Sequence, residues 1–267
     1  MLTTYEAKLL SRNKLNSDTY FLQFTRPDEP KWTFAAGQYM IFHLSYPADH
    51  PLRRLYSIAS PPENTTSLDF IIQKVPEGKG SPHITNLKPG ETIKLQGPAG
   101  AFTFRQTPRD KIFLATGTGI APIRSMLLSK LMSPPKKETD NPEKTLLKRL
   151  NYLGSQQRMY LFWGMRTCEE IYLLEEFKNL QKIHDNFRFT YCLSRDKDYL
   201  SKLQENASYA TFGRVTVGLE NLLLQYELDI TKFDYYLCGG QQVVEGLRQY
   251  LTQKKVPTEQ IFFERFN

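Results

Sequence analysis

The sequence has few cysteines, and this scarcity excludes several kinds of site. Only three of its 267 residues are cysteine, Cys168, Cys192 and Cys238, and no two of them form a Cys-x-x-Cys pair. A zinc site of paired cysteines and a four-cysteine iron–sulfur cluster are therefore excluded within this chain. The four histidines are scattered without metal-ligand spacing, so we expect no metal site. Such cysteine usage is typical of a reducing compartment, and we expect a cytoplasmic protein.

Long hydrophobic runs and dense basic runs are also lacking. No stretch approaches the roughly 18 consecutive apolar residues of a membrane span, and the first twenty residues lack the apolar core of a signal peptide. We therefore expect no membrane span. The formal charge is +7, but no basic run is interleaved with aromatic residues. A dedicated nucleic-acid-binding face usually has such runs, so we expect no nucleic-acid partner.

The positive charge that is present is unevenly placed. Residues 130–158 contain seven Lys or Arg and three Asp or Glu, which is +4 of the +7. One interpretation is a solvated surface loop and helix. The other is a docking surface, because opposite charge steers the encounter with an acidic partner. Within this stretch, Leu146, Leu147 and Leu150 beside Lys148 and Arg149 have the spacing of a short amphipathic helix.

The first hundred residues have the pattern of short strands separated by turns. Four segments rich in Tyr, Phe, Ile and Thr are bounded by Gly and Pro, at 19–25, 39–45, 67–75 and 92–98. Such regular spacing predicts an antiparallel sandwich or barrel.

From residue 111 the pattern changes to compact apolar runs, each followed by a helical period. The runs are 111–116, 158–164, 187–194 and 233–240, and the helices are Ile120–Met132, Glu169–Ile183, Leu219–Tyr226 and Gln241–Lys254. This alternation predicts a parallel sheet covered by helices on both faces. We place the domains at 1–106 and 107–267, with 130–158 as a basic insertion in the second.

A candidate phosphate-binding turn follows the first strand of the second domain. Gly117-Thr118-Gly119 lies between that strand and a helix expected to start near Ala121, with Pro122 in its first turn. Glycines permit close approach of a ligand, and a helix N-terminus attracts phosphate. The third glycine of the dinucleotide fingerprint is missing, so a purely structural turn is the alternative. Its place at the opening of the parallel domain favours the phosphate interpretation.

Eight short motifs, in order along almost the whole chain, together resemble the ferredoxin–NADP reductase superfamily. They are GQYM (37–40), RLYSIAS (54–60), GKGSPHI (78–84), GPAGAF (97–102), GTGIAP (117–122), FWGMR (162–166), YYLCGG (235–240) and IFFERF (261–266). The resemblance implies an N-terminal antiparallel six-stranded β-barrel that binds flavin. It also implies a C-terminal α/β domain with a Rossmann-like parallel sheet that binds NAD(P).

The resemblance implies a flavin site in the first domain. Arg54 suits the pyrophosphate because its planar fork matches phosphate oxygens. Tyr56 offers a flat ring for stacking on the isoalloxazine, and Ser57 is similar to the serine that bonds near flavin N5. The remaining flavin contacts implied are a phosphate loop and a loosely mapped strand end: Gly80, Ser81, Ile72, Gln73 and Val75. We expect FAD, with FMN less favoured.

In the second domain the resemblance implies a nicotinamide site. Cys238 and Glu264, with Ser57, match residues around the reacting rings, and Phe266 matches a terminal aromatic that covers the flavin. Taken alone, Cys238 has the pattern of a buried apolar cysteine, and Glu264 that of a surface carboxylate. The other nucleotide contacts expected are Gly117, Thr118, Gly119, Pro122, Arg166 and Gly239.

The sequence favours NADPH over NADH by a small margin. Ser194 and Arg195 are similar to the pair found in members that use NADPH, and Arg214 is placed to add a second cation for a 2′-phosphate. Asp196 and Asp198 lie next to them and weaken this positive field.

These features predict an enzyme, an NAD(P)H-dependent flavoprotein reductase. We expect hydride transfer from NADPH or NADH to FAD, followed by single electrons to an acidic carrier such as a ferredoxin, a flavodoxin or an oxygenase component. Two alternatives remain open. One is a reductase that uses free flavin as a substrate, and the other is a non-enzymatic module that senses the nucleotide.

Overall fold

The computed structural model describes residues 2–27, 31–44, 52–132 and 157–266. The amphipathic helix predicted around residues 146–150, and most of the basic insertion, lie outside these ranges. Within the described ranges, the helices are all too short or too polar to cross a membrane.

The first domain is a curled, six-stranded antiparallel sheet, as predicted. Its strands are β1 (Thr3–Lys14), β2 (Thr19–Thr25), β3 (Tyr39–Leu44), β4 (Leu52–Ser57), β5 (Ser67–Gln73) and β6 (Thr92–Ala99). They lie in the order β4-β3-β6-β1-β2-β5, and a short helix α1 (Ser81–Thr85) connects β5 to β6. All four predicted strands are present. Strands β1 and β4 were not among the predicted segments, because exposed polar residues in both hide the alternation.

The interior of this sheet is filled by alternate side chains of facing strands. Phe24, Phe42 and Phe70 pack edge to face around one point, with centroids 4.9–5.9 Å apart. The two edge strands approach each other at one end, where the Ala59 N–H donates to the Asp69 carbonyl at 2.7 Å. The sheet therefore wraps around its own core and presents the end of β4 to the second domain.

The second domain contains the predicted parallel sheet, with strands in the order β10-β9-β8-β7-β11-β12. The strands are β7 (Asp110–Thr116), β8 (Met159–Met165), β9 (Phe187–Leu193), β10 (Ala210–Phe212), β11 (Phe233–Gly240) and β12 (Ile261–Phe266). Central strands such as β7 are apolar on both faces because helices cover both.

The helices of this domain are α2 (Ile120–Leu131), α3 (Leu174–Ile183), α4 (Tyr199–Leu203), α5 (Val215–Gln225) and α6 (Gln241–Gln253). Helices α2 and α3 pack on one face of the sheet, and α5 and α6 on the other. The helix expected from Glu169 begins only at Leu174. Leu173, at φ 58°, lies in the left-handed region and separates it from a 3₁₀ turn.

A linker between β6 and β7 joins the two domains and packs on β11. The Phe104 ring stacks on Tyr236 at 5.7 Å, and the Arg105 N–H donates to the Tyr236 hydroxyl at 2.8 Å. The boundary predicted at 106/107 lies inside this linker and stays a prediction.

Candidate functional site

Three residues from three strands meet where the two domains touch. The Ser57 hydroxyl, at the end of β4, donates to Glu264 Oε2 in β12 at 2.7 Å. Glu264 is the register partner of Cys238 in β11, so the thiol and the carboxylate lie on adjacent strands. The structure thus brings together all three residues expected beside the reacting rings, across 207 positions of sequence.

Burial acts on both ionisable groups of this trio, Glu264 and Cys238. Burial raises the pKa of Glu264, and the hydrogen bond from Ser57 partly opposes that shift. Burial, and then the charge of Glu264, raise the pKa of the Cys238 thiol well above its usual value. A thiol that resists ionisation is a poor nucleophile. Cys238 can therefore shape and hydrogen-bond at the site, but it is not set up to attack a substrate.

The loop after β7 fits closely against the end of β11. A Cβ on Gly119 would collide with the carbonyl of Cys238, and a Cβ on Gly239 would collide with the Thr116 hydroxyl. The Cys-Gly-Gly turn at 238–240 is therefore held in place by its close contacts with Thr116 and Gly119. Gly119 permits the close approach of the Cys238 backbone. The ligand role that we predicted for Gly117 and Gly119 stays a prediction.

Gly117 is the exposed residue of the Gly117–Gly119 turn, and two buried side chains fix the orientation of its peptide group. Its carbonyl accepts a hydrogen bond from Trp163 Nε1 at 2.9 Å and another from the Tyr172 hydroxyl at 3.2 Å. Both rings are buried, and Trp163 packs edge to face on Tyr172. With its carbonyl held inward, the turn is held rigidly at the edge of the site.

A cavity of about 770 Å³ opens at the carboxyl edge of the parallel sheet beside this turn. This is the edge at which open α/β sheets bind ligands. Of the predicted residues, it is lined by Gly117, Arg166, Ser194, Arg214 and, from the first domain, Gln73. Thr118 lies in a smaller adjoining cleft together with Gly117 and Arg166.

Glu170 is a cavity residue that sequence reasoning missed. Its carboxylate accepts from Arg166 Nε at 2.6 Å and from the Arg166 N–H at 2.9 Å. The pair fixes the Arg166 side chain along the cavity wall and offsets its charge. The i,i+4 spacing was the available signal, but that spacing also describes ordinary surface pairs.

The residues predicted to bind a 2′-phosphate do not all lie at the cavity. Ser194 and Arg214 line the cavity, and Arg214 has no carboxylate partner among the described residues. Arg195 is exposed and is not one of the cavity residues. Asp196, expected to weaken the positive field, is instead buried and accepts from the Cys168 N–H and from Lys202 at 3.0 Å.

In the first domain the residues expected to hold flavin phosphates lie side by side. Gly80 packs so tightly on Arg54 that a Cβ would come within 2.7 Å of the Arg54 side chain. The Arg54 side chain is exposed, and its Nη1 donates to the adjacent Arg53 carbonyl at 2.8 Å. Ser81 is less available than expected, because its hydroxyl accepts from the Val75 N–H at 2.9 Å and fixes the loop.

Tyr56 is half-buried, with one edge against Phe42 at 5.1 Å. Burial raises its pKa to about 12, partly opposed by Arg54, so the phenol keeps its proton. Ile72 lies fully inside the barrel core, which leaves only its backbone for a ligand, whereas Val75 is exposed.

The two remaining predicted residues are placed differently from each other. Pro122 is buried in the first turn of α2, where it supports the helix rather than lining the cavity. Phe266 ends β12 opposite Gly240, and it is a partly buried residue packed on the core that spans the two domains. Its stacking on a flavin stays a prediction.

The residues present fit a flavin and a nicotinamide nucleotide. Arg54 supplies an exposed guanidinium, which suits a pyrophosphate, and Tyr56 supplies an amphipathic ring. The cavity is lined by Gly117, in the turn before a helix, and by Arg214, which has no carboxylate partner in the part of the chain that the structure describes; both suit a second phosphate group. Helix α6 adds four further cavity residues that the sequence did not single out: Gln242, Val243, Gly246 and Leu247.

Comparison with known proteins agrees with this division of the chain. Residues 6–104 match the family described as the oxidoreductase FAD-binding domain, and residues 113–249 match the oxidoreductase NAD-binding domain.

Two curated relatives are similar over most of the chain. Ferredoxin–NADP reductase B of Sorangium cellulosum is 31% identical over 192 residues, which cover 72% of this chain and 70% of the relative. The reductase component of propane 2-monooxygenase from Mycolicibacterium smegmatis is 29% identical over 247 residues. That match covers 90% of this chain but 62% of the relative, so the chain spans about three fifths of that protein.

A solved structure shows the same fold. The cytochrome P450 reductase of Amycolatopsis superimposes with a TM-score of 0.76 at 21% identity, over 99% of this chain and 70% of that one. The family assignment follows from the two domain matches and from the Sorangium relative. The chain belongs to the ferredoxin–NADP reductase superfamily of oxidoreductases, with an FAD-binding domain followed by an NAD-binding domain.

Proposed function

We propose that this protein is an NAD(P)H-dependent flavoprotein reductase that passes electrons singly to a separate acceptor. The observation that carries the proposal is the hydrogen bond from Ser57 to Glu264, which links the flavin domain to the nucleotide domain beside the cavity. When bound, FAD accepts a hydride from the nicotinamide and can release its electrons one at a time.

The protein's own residues contribute alignment of the two binding halves and burial of the ionisable groups between them. Ser57 and Cys238 lie on opposite sides of the domain junction, so they would align a flavin held by the first domain with a nicotinamide held by the second. Burial raises the pKa of Glu264, so its carboxylate, which accepts from the Ser57 hydroxyl, takes up a proton more readily than an exposed glutamate would. Gly117 and Arg214 hold the nucleotide's phosphates at the carboxyl edge of the sheet.

We propose NADPH as the preferred donor. Arg214 follows β10, and Ser194 follows β9, its parallel neighbour, so a cation and a hydroxyl lie together at the cavity. Arg214 has no carboxylate partner among the described residues, and Asp196 is neutralised by Lys202. A free arginine suits a 2′-phosphate, whereas NADH-binding sites present a carboxylate to the ribose.

The proposed acceptor is an acidic one-electron carrier, either a ferredoxin or flavodoxin or the partner component of an oxygenase. The names of the Sorangium and Mycolicibacterium relatives point to these two classes. The net charge of +7 supports attraction to an acidic protein. All three cysteines are free thiols, which supports a cytoplasmic setting.

The test is an absorbance spectrum of the purified protein, followed by rapid mixing with NADPH and with NADH. We expect one tightly held FAD per chain, its reduction by either nucleotide, and faster reduction of a ferredoxin at low salt than at high salt. A colourless protein that reduces added flavin would show the free-flavin reductase instead. Nucleotide binding without turnover of ferricyanide would show a sensing module.

A further inference from the structure

A buried arginine on the first helix of the nucleotide domain reaches across to the flavin domain. Arg124 lies on α2, and only 9% of its side chain is exposed. Its Nη1 donates to the Ala59 carbonyl at 2.7 Å and lies 3.5 Å from the Asp69 carboxylate. Its guanidinium also lies 5.3 Å from the centre of the Phe21 ring. All three partners belong to the flavin domain.

The other side of the same guanidinium is held within the nucleotide domain. Nε and Nη2 donate to both oxygens of Glu176 on α3, at 2.7 and 2.8 Å. This two-bond geometry fixes the plane of the guanidinium, and lysine cannot reproduce it. Glu176 therefore orients Arg124 so that its remaining nitrogen is aimed at Ala59.

The next residue repeats the contact. Ser125, which is fully buried, donates from its hydroxyl to the Ser60 carbonyl at 2.7 Å. Two consecutive side chains of α2 therefore hold two consecutive carbonyls of segment 57–60. That segment begins with Ser57, whose hydroxyl is bonded to Glu264.

The nucleotide domain therefore bonds to segment 57–60 at both ends, at the Ser57 hydroxyl and at the carbonyls of Ala59 and Ser60. Helix α2 starts immediately after the Gly117–Gly119 turn, so Arg124 ties the chain that carries Ser57 to the helix that carries the phosphate turn. A shift of this helix against segment 57–60 would change the separation of the two binding halves. The rate of transfer between stacked rings is sensitive to such a shift, since about 1 Å of misplacement can cost up to 100-fold.

We propose that Arg124 is a positioning residue that sets the spacing between the flavin and nucleotide halves of the site, with Ser125 as its partner. The inference rests on the proposed function for its kinetic consequence. The clamp itself, two side chains on two carbonyls, is independent of which nucleotide or acceptor the protein uses.

The test compares variants of the flavin-loaded protein by rapid mixing with NADPH. Arg124→Met should lower the limiting rate of flavin reduction by about 10- to 100-fold. Flavin content and nucleotide Kd should stay within about twofold, because neither Arg124 nor the groups it contacts are among the residues expected to bind the flavin or the nucleotide. Arg124→Lys should recover part of the rate, since it keeps the charge but loses the fork. The long-wavelength absorbance of the stacked rings should weaken in parallel with the rate.

Further variants separate positioning from simple loss of stability. Ser125→Ala removes only a contact between domains and should lower the limiting rate by about threefold. Glu176→Gln keeps one carbonyl acceptor for Arg124 but weakens its orientation, and should lower the limiting rate less than Arg124→Met does. Arg158→Met breaks an exposed pair with Asp110 and is the matched control, expected within about twofold of wild type. Should Arg124→Met not fold, Arg124→Lys and Ser125→Ala decide the question.

A second readout needs no turnover. Amide hydrogen exchange in segment 57–60 should accelerate in Arg124→Lys and Ser125→Ala but not in Arg158→Met. Unchanged limiting rates and unchanged exchange in both variants would overturn the proposal. If wild-type protein holds no flavin or is not reduced by either nucleotide, the proposed function fails, while the exchange comparison still tests the clamp.

Discussion

The two edges of the parallel sheet use charged residues in opposite ways. At the amino edge, the fully buried Asp234 accepts from Arg109 Nε at 2.6 Å, from Lys111 Nζ at 2.8 Å and from the Thr107 hydroxyl. Lys111 is buried too, and it donates to the Thr107 hydroxyl at 2.6 Å and to the Arg109 carbonyl at 2.7 Å. Asp234 and Lys111 are thus both paired and fully buried, and the partly exposed Arg109 completes the cluster.

At the carboxyl edge the groups are only partly matched. Glu264 has a single side-chain partner, Ser57, and Arg214 has no carboxylate partner among the described residues. A buried charge is tolerated only when it is paired and hydrogen-bonded. The contrast teaches that a charge left with free hydrogen-bonding capacity beside a cavity is a group kept for a ligand, whereas a saturated one belongs to the fold.

The largest expected effect comes from breaking the amino edge. Asp234→Asn should lower the free energy of unfolding by about 3–5 kcal/mol, because it leaves Lys111 as a buried charge without a counterion. Urea unfolding at neutral pH measures this loss. Asp185→Asn, on an exposed carboxylate, is the control and should change it by less than about 0.5 kcal/mol. An Asp234→Asn variant as stable as that control would contradict the structural role.

Acid should act on the same edge in a defined direction. Burial tends to raise the pKa of Asp234, but hydrogen bonds from Lys111, Thr107 and Arg109 hold it below its usual value. A carboxylate with a lowered pKa stabilises the folded state above its unfolded pKa of about 3.9, and that stability is lost as pH falls through the folded pKa. The wild type should therefore lose this contribution in acid, and Asp234→Asn should not.

The next largest effect is expected at the carboxyl edge. Ser57→Ala removes the hydrogen bond to Glu264 and should slow flavin reduction by about 10-fold or more, since bonds to charged groups contribute about 1.5–3 kcal/mol. Ser57 also lowers the pKa of Glu264, so its loss should raise that pKa further. The pH-dependent step that Glu264→Gln abolishes should then lie at higher pH in Ser57→Ala than in wild type. A step that moves to lower pH would be inconsistent with this contact.

The smallest effect distinguishes two arginines near the cavity. Arg214→Ala should reduce the ratio of kcat/KM for NADPH over NADH by about 10-fold, the equivalent of about 1.4 kcal/mol. Arg195→Ala should change that ratio by less than twofold, because Arg195 is not a cavity residue. Steady-state assays with both nucleotides decide between them. The reverse ranking would restore the sequence-based assignment of Arg195.

Much of the fold could be predicted from the sequence because its signals are local. Strand β2 was predicted to its end residues, and strands β7, β9 and β11 to within one residue at either end, since each is an apolar run bounded by polar residues or glycine. The prediction for α3 began five residues too early. Residues 169–173 contain no Gly or Pro that would indicate the left-handed conformation of Leu173, where the helix is interrupted.

The candidate site was predicted less completely, for reasons of geometry. Motif order located Ser57, Cys238 and Glu264, but motifs do not show where a side chain points. Arg195 and Asp196 are adjacent, yet one is exposed and the other is buried against Lys202. Glu170 and the α6 residues of the cavity were missed because their spacing is that of any surface helix or turn.

The sequence by itself determined two domains of different architecture, a glycine turn at the opening of the parallel sheet, and the residues of the trio. Periodicity, turn chemistry and motif order are properties of neighbouring residues, and each is readable without a fold. Only the tertiary structure decided that Ser57 bonds Glu264, that Arg214 rather than Arg195 faces the cavity, and that Arg124 spans both domains. These contacts join residues tens to hundreds of positions apart, and strand register and domain packing alone bring them within hydrogen-bond distance.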